Sequence, residues 1–314
     1  MTRRFKVDIE ERRGMFRWLS WGGIRGRGLS IKTDALMSLV ALSMATIVLI
    51  LAYFLYERNA VKAYCEGRID PVITQTDELV QRVEKVWDSE LVTKTPDPLN
   101  PEIDPVNLRL TASSLNDQLR KDAGELHKTR NVFMNQPTAP NPCQPCMDKT
   151  GAYVRTADNY ATVMLDTIQY LHDLALIEAN MNDAARAVQL GGGNVAPDVL
   201  IQRDASLAAG LEKIKVLKPP PMMKKFHDDT VAFLTDYITI AQQTTAAYVA
   251  NSGRIQLEVL GQEGETVLHS GRDKLKADVD AVKSLMMGGQ TKLIRDYRQS
   301  AREEIYSLQK KYRF

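Results

Sequence analysis

The stretch ALMSLVALSMATIVLILAYFLY, residues 35–56, decides the fold class because none of its 22 residues carries a charge. As an α-helix it would be about 33 Å long, and the hydrocarbon core of a bilayer is about 30 Å thick. The stretch therefore predicts a transmembrane helix. A buried core helix is disfavoured by the missing polar face and the basic residues before it. A secretory signal peptide is disfavoured because ERNAVKAYCEG, which follows, lacks a small-residue cleavage pattern.

The charges flanking this stretch predict its orientation. Residues 1–34 contain nine Lys or Arg and four acidic residues, a local charge of +5 in a chain with a formal net charge of +2. Since cytoplasmic flanks are rich in Lys and Arg, we expect the N-terminus inside and the bulk of the chain periplasmic or extracellular. The sequence thus predicts a cytoplasmic basic arm (1–34), a transmembrane helix (35–56) and an extracytoplasmic helical domain (57–314), held in the inner or plasma membrane.

Aromatic and basic side chains alternate near the end of the basic arm. Trp and Arg favour the headgroup level of a membrane, so this part of the arm predicts contact with the lipid surface. The predicted contact residues are Arg13, Arg17, Trp18, Trp21 and Arg25. A disordered basic leader is the alternative for residues 1–15. A basic arm on a mildly acidic body favours anionic lipid over nucleic acid as its partner.

The residues after Tyr56 show helical rather than strand spacing. One apolar stripe runs from Tyr153 to Ala175 at intervals of three and four, and no comparable period-two run appears. Prolines and glycines interrupt these patterns at residues 95–105, 136–145, 191–197, 218–221 and 286–290. The sequence predicts an all-α fold: a helical bundle of about six to seven helices with proline-rich elbows and two possible subdomains, 57–190 and 198–314.

The C-terminal apolar repeat predicts one long amphipathic helix from Leu268 to Tyr312, with a bend at Gly288 and Gly289. Tyr and Arg are enriched at protein interfaces, and this helix ends with aromatic residues among basic ones. The predicted partner-binding residues are Tyr297, Ile305, Tyr306, Tyr312 and Phe314. The alternative is a helix that serves only to pack the bundle.

Cys143 and Cys146 form the motif CQPC within a proline-rich segment. No strand pattern feeds the motif as in thioredoxin-like proteins, Met147 stands where haem attachment needs His, and no second ligand pair suggests zinc. We therefore predict a disulfide between these cysteines in an oxidising compartment. The alternatives are an active dithiol and a bridge from Cys65 to one of the pair. If Cys65 does not bridge to either of them, we expect it to form an intermolecular disulfide in a homo-oligomer or to be a buried thiol.

No motif for nucleotide binding, metal-dependent hydrolysis or nucleophilic catalysis occurs in the sequence. We therefore predict neither catalysis, nor a metal, nor a cofactor. The expected function is that of a membrane-anchored structural or accessory subunit whose partners are the lipid bilayer and other membrane or envelope proteins. The alternatives are an extracytoplasmic helical sensor or ligand-binding domain, and a membrane-tethered thiol-disulfide oxidoreductase that uses the CQPC motif.

Overall fold

The computed structural model describes residues 30–94, 99, 103–136, 138–190, 195–250 and 258–314. This part of the chain is almost entirely helical and contains no strand, which confirms the prediction of an all-α protein. The chain divides into two compact units, Met1–Glu57 and Arg58–Phe314. We call the second unit the body.

Helix α1, Ser30–Tyr64, is 35 residues long and has no Gly or Pro to interrupt it. It contains residues 35–56, and all of them are exposed. The hydroxyl groups of Ser43 and Thr46 donate hydrogen bonds to carbonyl oxygens three and four residues earlier, at 2.8 Å in each case, so the helix satisfies these polar groups itself. By length and composition α1 can span a membrane.

Eight further helices follow among the described residues. Their bounds are α2 Asp70–Glu84, α3 Glu90–Lys94, α4 Pro105–Met134, α5 Gln144–Leu190, α6 Pro197–Lys215, α7 Lys224–Ala250, α8 Glu258–Leu285 and α9 Thr291–Tyr312.

Prolines lie at the start of several helices of the body. Pro105 and Pro197 occupy the first positions of α4 and α6, where a backbone N–H has no intrahelical partner, and the Asp104 side chain caps α4. A 3₁₀ turn precedes α5 at Asn141–Cys143, and another precedes α7 at Pro221–Met223. The proline-rich segments therefore act as elbows between helices.

Helix α5 is the central element of the body. It packs against α2, α4, α6 and α9, whereas α7 packs against α6 and α8. The stripe that the sequence singles out is buried, and so are residues beside it, because α5 has neighbours on several sides. Its fully buried side chains include Tyr153, Val154, Ala157, Tyr160, Ala161, Met164, Ile168, Leu171 and Leu174.

Two π-helical turns interrupt otherwise continuous helices. The first, Cys65–Ile69, joins α1 to α2, and the second, Met286–Gln290, joins α8 to α9. A π turn adds one residue to the helix and rotates the residues that follow it around the axis. The second turn contains both Gly288 and Gly289. The chain is helical on both sides of it, from Glu258 to Tyr312, which confirms the predicted long C-terminal helix.

Candidate functional site

The three cysteines lie together in the core of the body. Cys65 begins the first π turn, Cys143 ends the 3₁₀ turn before α5, and Cys146 lies in the first turn of α5. All three side chains are fully buried, at 0 % exposure, and all three carry thiols. The tertiary structure thus brings Cys65 to a motif that is distant in the sequence. We call this group the cysteine cluster.

Hydrogen bonds join the thiols of the cysteine cluster. Cys65 bonds with Cys146 and also with Cys143, and these bonds lower the pKa of Cys65 although burial opposes the shift. The bond to Cys65, together with burial, raises the pKa of Cys146. The Cys65 thiol therefore ionises more readily than the Cys146 thiol, and the thiolate is the nucleophilic form of a cysteine.

The two elbows show what the CQPC positions do for packing. Cys143 ends its 3₁₀ turn as Met223 ends the second one, and Cys146 corresponds in register to Phe226, with Pro140 and Pro220 as the preceding caps. Met223 and Phe226 are both buried. These positions therefore face the core in both elbows, and the first elbow carries a small thiol where the second carries a phenyl ring.

The burial of the cysteine cluster bears on the predictions made for it. Cys143 and Cys146 are both free thiols in this structure. The disulfide between them therefore stays a prediction. An intermolecular bridge at Cys65 would require local opening of the body, because its sulfur has no exposed surface. The same holds for a dithiol that exchanges with a substrate protein. Within the described residues no group of His, Cys, Asp and Glu side chains has the arrangement of a metal site.

The five predicted partner-binding residues fall into a buried group and an exposed group. Ile305 and Tyr312 are buried at 6 % and 4 % exposure, and Phe314 packs partly buried against the core. Tyr297 and Tyr306 are exposed, at 40 % and 67 %. Buried side chains stabilise the body and are not available to a partner, so the prediction of a binding surface narrows to the two tyrosines.

An arginine-lined groove of about 560 Å³ runs along the exposed side of α9. Its lining residues recur at helical intervals and are Arg295, Arg298, Gln299, Arg302, Glu303 and Tyr306. Arg302 is 55 % exposed and Arg298 37 %. The groove therefore presents positive charge next to an aromatic ring, a combination suited to recognising another protein.

Asp77 of α2 holds this side of α9 against the body. Its carboxylate accepts hydrogen bonds from Arg302 at 2.8 Å and from the Tyr153 hydroxyl at 2.6 Å, and it forms an ion pair with Arg298 at 2.7 Å. Burial and the bond to Asp77 raise the pKa of Tyr153. The Asp77 side chain is 11 % exposed, so its charge is stabilised mainly by these partners.

Sequence reasoning missed the Asp77 network because its members belong to three helices. Asp77 lies 225 positions from Arg302 and 76 from Tyr153. The available signal was an acidic residue next to the apolar stripe of α2, but many exposed helix faces show the same pattern. The predicted lipid contacts Arg13, Arg17, Trp18, Trp21 and Arg25 lie outside the described residues.

No protein-family model, no curated protein and no solved structure matches this chain.

Proposed function

We propose that this protein is a single-pass membrane-anchored structural or accessory subunit whose helical body binds other proteins of a membrane or envelope complex. The N-terminal arm is cytoplasmic in this proposal, and the body lies on the periplasmic or extracellular side. The chain performs no catalysis of its own.

The exposure of residues 35–56 carries the proposal. Leu42 and Leu49 are each 70 % exposed, and Tyr56 is 73 % exposed, although nearly every residue between them is apolar. Soluble proteins rarely expose continuous apolar surface of this extent. A bilayer would cover such a helix on all sides, and its uncharged length matches the hydrocarbon core. The basic arm before it supports the cytoplasmic placement of the N-terminus.

The exposed side of α9 supports the binding role. Tyr306 is 67 % exposed and lines the groove together with Arg302 and Glu303. Tyr supplies a large contact area at a low cost in side-chain entropy, and Arg adds directional hydrogen bonds. The buried side of the same helix is fixed by Ile294, Ala301 and Ile305, so the surface would be rigid before it meets a partner.

Site-specific photo-crosslinking in intact membranes tests the binding role. A photoreactive phenylalanine at position 306 should give a discrete adduct with one other membrane or envelope protein. The control places the same residue at position 216, where Val216 is 75 % exposed but lies at the end of α6. Replacing Tyr297 and Tyr306 with Ala should reduce co-purification of the adduct's protein by at least tenfold. Equal adducts at both positions, or none at 306, would contradict the binding role.

Protease protection tests the topology separately. Protease added to spheroplasts should degrade the body and spare the basic arm, which remains attached to the membrane. Protection of α9 in intact spheroplasts, with degradation after lysis, would overturn the proposed orientation.

A further inference from the structure

We propose that the end of α9 binds the headgroups of anionic phospholipids at the membrane surface from which the chain enters the body. The binding residues are Lys310, Lys311 and Arg313, which we call the basic end of α9. The inference rests on the membrane anchor of the proposed function, because it takes residues 35–56 to span the bilayer. It adds a lipid contact made by the body to the one expected of the basic arm.

Contacts between α2 and α9 show that these two helices run antiparallel. Glu84 and Arg295 line the same cavity of about 220 Å³. Asp77, earlier in α2, pairs with Arg302, which is later in α9, at 2.8 Å. The residue number therefore falls along α2 as it rises along α9. The end of α9 consequently points back towards the residues that precede α2, where the body begins.

A hydrogen bond between Arg58 and Arg313 limits the distance from the end of α9 to the apolar stretch. The Arg58 side chain donates this bond to the carbonyl oxygen of Arg313 at 2.8 Å. Arg58 is the second residue after Tyr56, and two residues of chain span at most about 7 Å. The headgroup layer on each side of the hydrocarbon core is about 5–7 Å deep. With residues 35–56 in the hydrocarbon core, the covalent chain alone therefore keeps Arg313 close to the headgroups.

The basic end of α9 carries positive charge that no acidic side chain of the body neutralises. Residues 305–314 contain three basic residues and no acidic one. Lys310, Lys311 and Arg313 are all exposed, and among the residues that the structure describes none of the three forms an ion pair. Ammonium and guanidinium groups bind phosphate oxygens, and basic residues near an anionic membrane are attracted to its surface.

Lysines of α7 and α8 have a different environment. Lys225 and Lys274 each pair with Asp229 at 2.9 Å, and Lys283 pairs with Asp88 at 2.9 Å. Their charges serve contacts within the body, whereas those at the basic end of α9 are available to an external anion.

Packing holds the basic end of α9 in place. Tyr312 is buried between the exposed basic residues, and Phe314 packs partly buried against the core. The backbone N–H of Phe314 also donates a hydrogen bond to the Gln309 carbonyl oxygen at 3.3 Å. The basic side chains therefore project from a fixed helix end, and binding a headgroup requires little ordering of the backbone.

Lipid photo-crosslinking of the full-length protein in nanodiscs tests the contact. A photoreactive phenylalanine replaces Ser307, which is exposed and lies one helical turn before Lys310 and Lys311. The discs contain phosphatidylcholine alone or an equal mixture of phosphatidylcholine and phosphatidylglycerol. In the mixture we expect at least fivefold more adduct with phosphatidylglycerol than with phosphatidylcholine, and added sodium chloride should reduce this preference because salt screens exposed charges. Equal labelling of the two lipids, or no lipid adduct at position 307, would overturn the inference.

A second photoreactive position separates this inference from the proposed function. The same residue in place of Leu49, which is 70 % exposed in the apolar stretch, should label acyl chains in both kinds of disc. Labelling at 49 without labelling at 307 would overturn the lipid contact and leave the membrane anchor intact. No lipid adduct at 49 would overturn the anchor, and the inference with it.

Charge variants assign the preference to the basic end of α9. The triple variant Lys310→Gln, Lys311→Gln, Arg313→Gln should label the two lipids within twofold of each other. The matched control changes three exposed lysines at the end of α6: Lys213→Gln, Lys215→Gln, Lys218→Gln. Both triples remove the same charge from the end of a helix, where basic residues also interact with the helix dipole. The control should keep the fivefold preference, and equal losses in the two triples would overturn the inference.

Inorganic phosphate distinguishes a lipid headgroup from a soluble anion. Phosphate and chloride at equal ionic strength should reduce the adduct with phosphatidylglycerol to the same extent. Selective displacement by phosphate would assign the basic end of α9 to a soluble anion and overturn the lipid contact.

Discussion

Two long helices of this protein are rich in apolar residues, yet they lie in opposite environments. The 22 residues 35–56 of α1 are all exposed, whereas α5 is buried by neighbouring helices along most of its length. Both sequences favour helix, so helical propensity does not distinguish them. The difference lies in where each helix places its polar groups.

Helix α5 interrupts its apolar pattern with acidic and amide side chains that other helices can pair. Asp158, at 3 % exposure, accepts a hydrogen bond from Arg130 of α4 at 2.6 Å. The side-chain oxygen of Gln169 accepts hydrogen bonds from Asn116 and Arg120, which also belong to α4. The stretch 35–56 has no charged group, and the hydroxyls of Ser43 and Thr46 bond within the helix. A helix whose polar side chains hydrogen-bond to neighbouring helices is suited to a protein interior. A helix without such side chains is suited to lipid.

The largest expected effect comes from placing charge in the apolar stretch. Arg at the centre of a membrane helix costs about 3 kcal/mol, so Leu42→Arg with Leu49→Arg should cost about 6 kcal/mol and move the protein out of the carbonate-resistant membrane fraction. The control is Val106→Arg with Leu110→Arg, two exposed apolar positions of α4. Retention of the doubly charged protein in the membrane would break the proposed contrast between α1 and α5.

The same truncation in the two helices should give unequal losses of stability. Leu174 of α5 is 0 % exposed and Leu49 of α1 is 70 % exposed. Leu174→Ala should lower the free energy of unfolding of the body by about 2–5 kcal/mol, because it leaves a cavity. Leu49→Ala should change it by less than about 0.5 kcal/mol. Denaturant unfolding in detergent, followed by circular dichroism, measures both, and similar losses would show that the two helices share one core.

The next prediction compares the stability lost on removing a partly buried ion pair with the stability lost on removing an exposed one. Asp77→Ala leaves the Tyr153 hydroxyl without its acceptor and should cost about 1–3 kcal/mol of unfolding free energy. Asp88 pairs with Lys283 at 2.9 Å but is 78 % exposed, so Asp88→Ala should cost less than about 0.5 kcal/mol. The same unfolding assay compares them. Equal costs would mean that α9 does not depend on Asp77 for its position.

The smallest expected effect is the pH dependence of the contact between α7 and α8. Burial opposes ionisation of Asp229, but bonds from Lys274 and Lys225 outweigh it and lower the pKa of Asp229 to about 2. Because this pKa lies below its unfolded value of about 3.9, the stabilisation is complete above about pH 4 and is lost as the pH falls towards 2. The contribution should be about 1 kcal/mol, since both lysines are largely exposed and water screens them.

Comparing the acid unfolding of the parent with that of Asp229→Asn measures the stabilisation that ionised Asp229 contributes. The variant should lose part of the stability difference between pH 5 and pH 2.5, and the neighbouring Asp228→Asn serves as the control because Asp228 is 55 % exposed. An unchanged difference in Asp229→Asn would show that Asp229 titrates normally in the folded body.

The amino-acid sequence by itself determined the helices, the long uncharged stretch and the elbows. These features depend on local chemistry: apolar spacing, the fixed φ of proline, and the missing N–H that places Pro105 and Pro197 at helix starts. The glycine pair at 288 and 289 marked a position where the C-terminal helix departs from regular geometry, because glycine tolerates local changes in helix geometry, but the π turn itself was not predicted. Such signals act within a few residues and can be read without knowing the rest of the chain.

Only the tertiary structure decided which side chains meet. It brought Cys65 to Cys146 and Asp77 to Arg302, and it buried Tyr312 while leaving Tyr306 exposed. Spacing along α9 predicts that Tyr306 and Tyr312 lie on different faces, but it does not reveal which face meets the body. That choice depends on where α2 and α5 lie, and their positions follow from packing the whole core at once rather than from any local pattern.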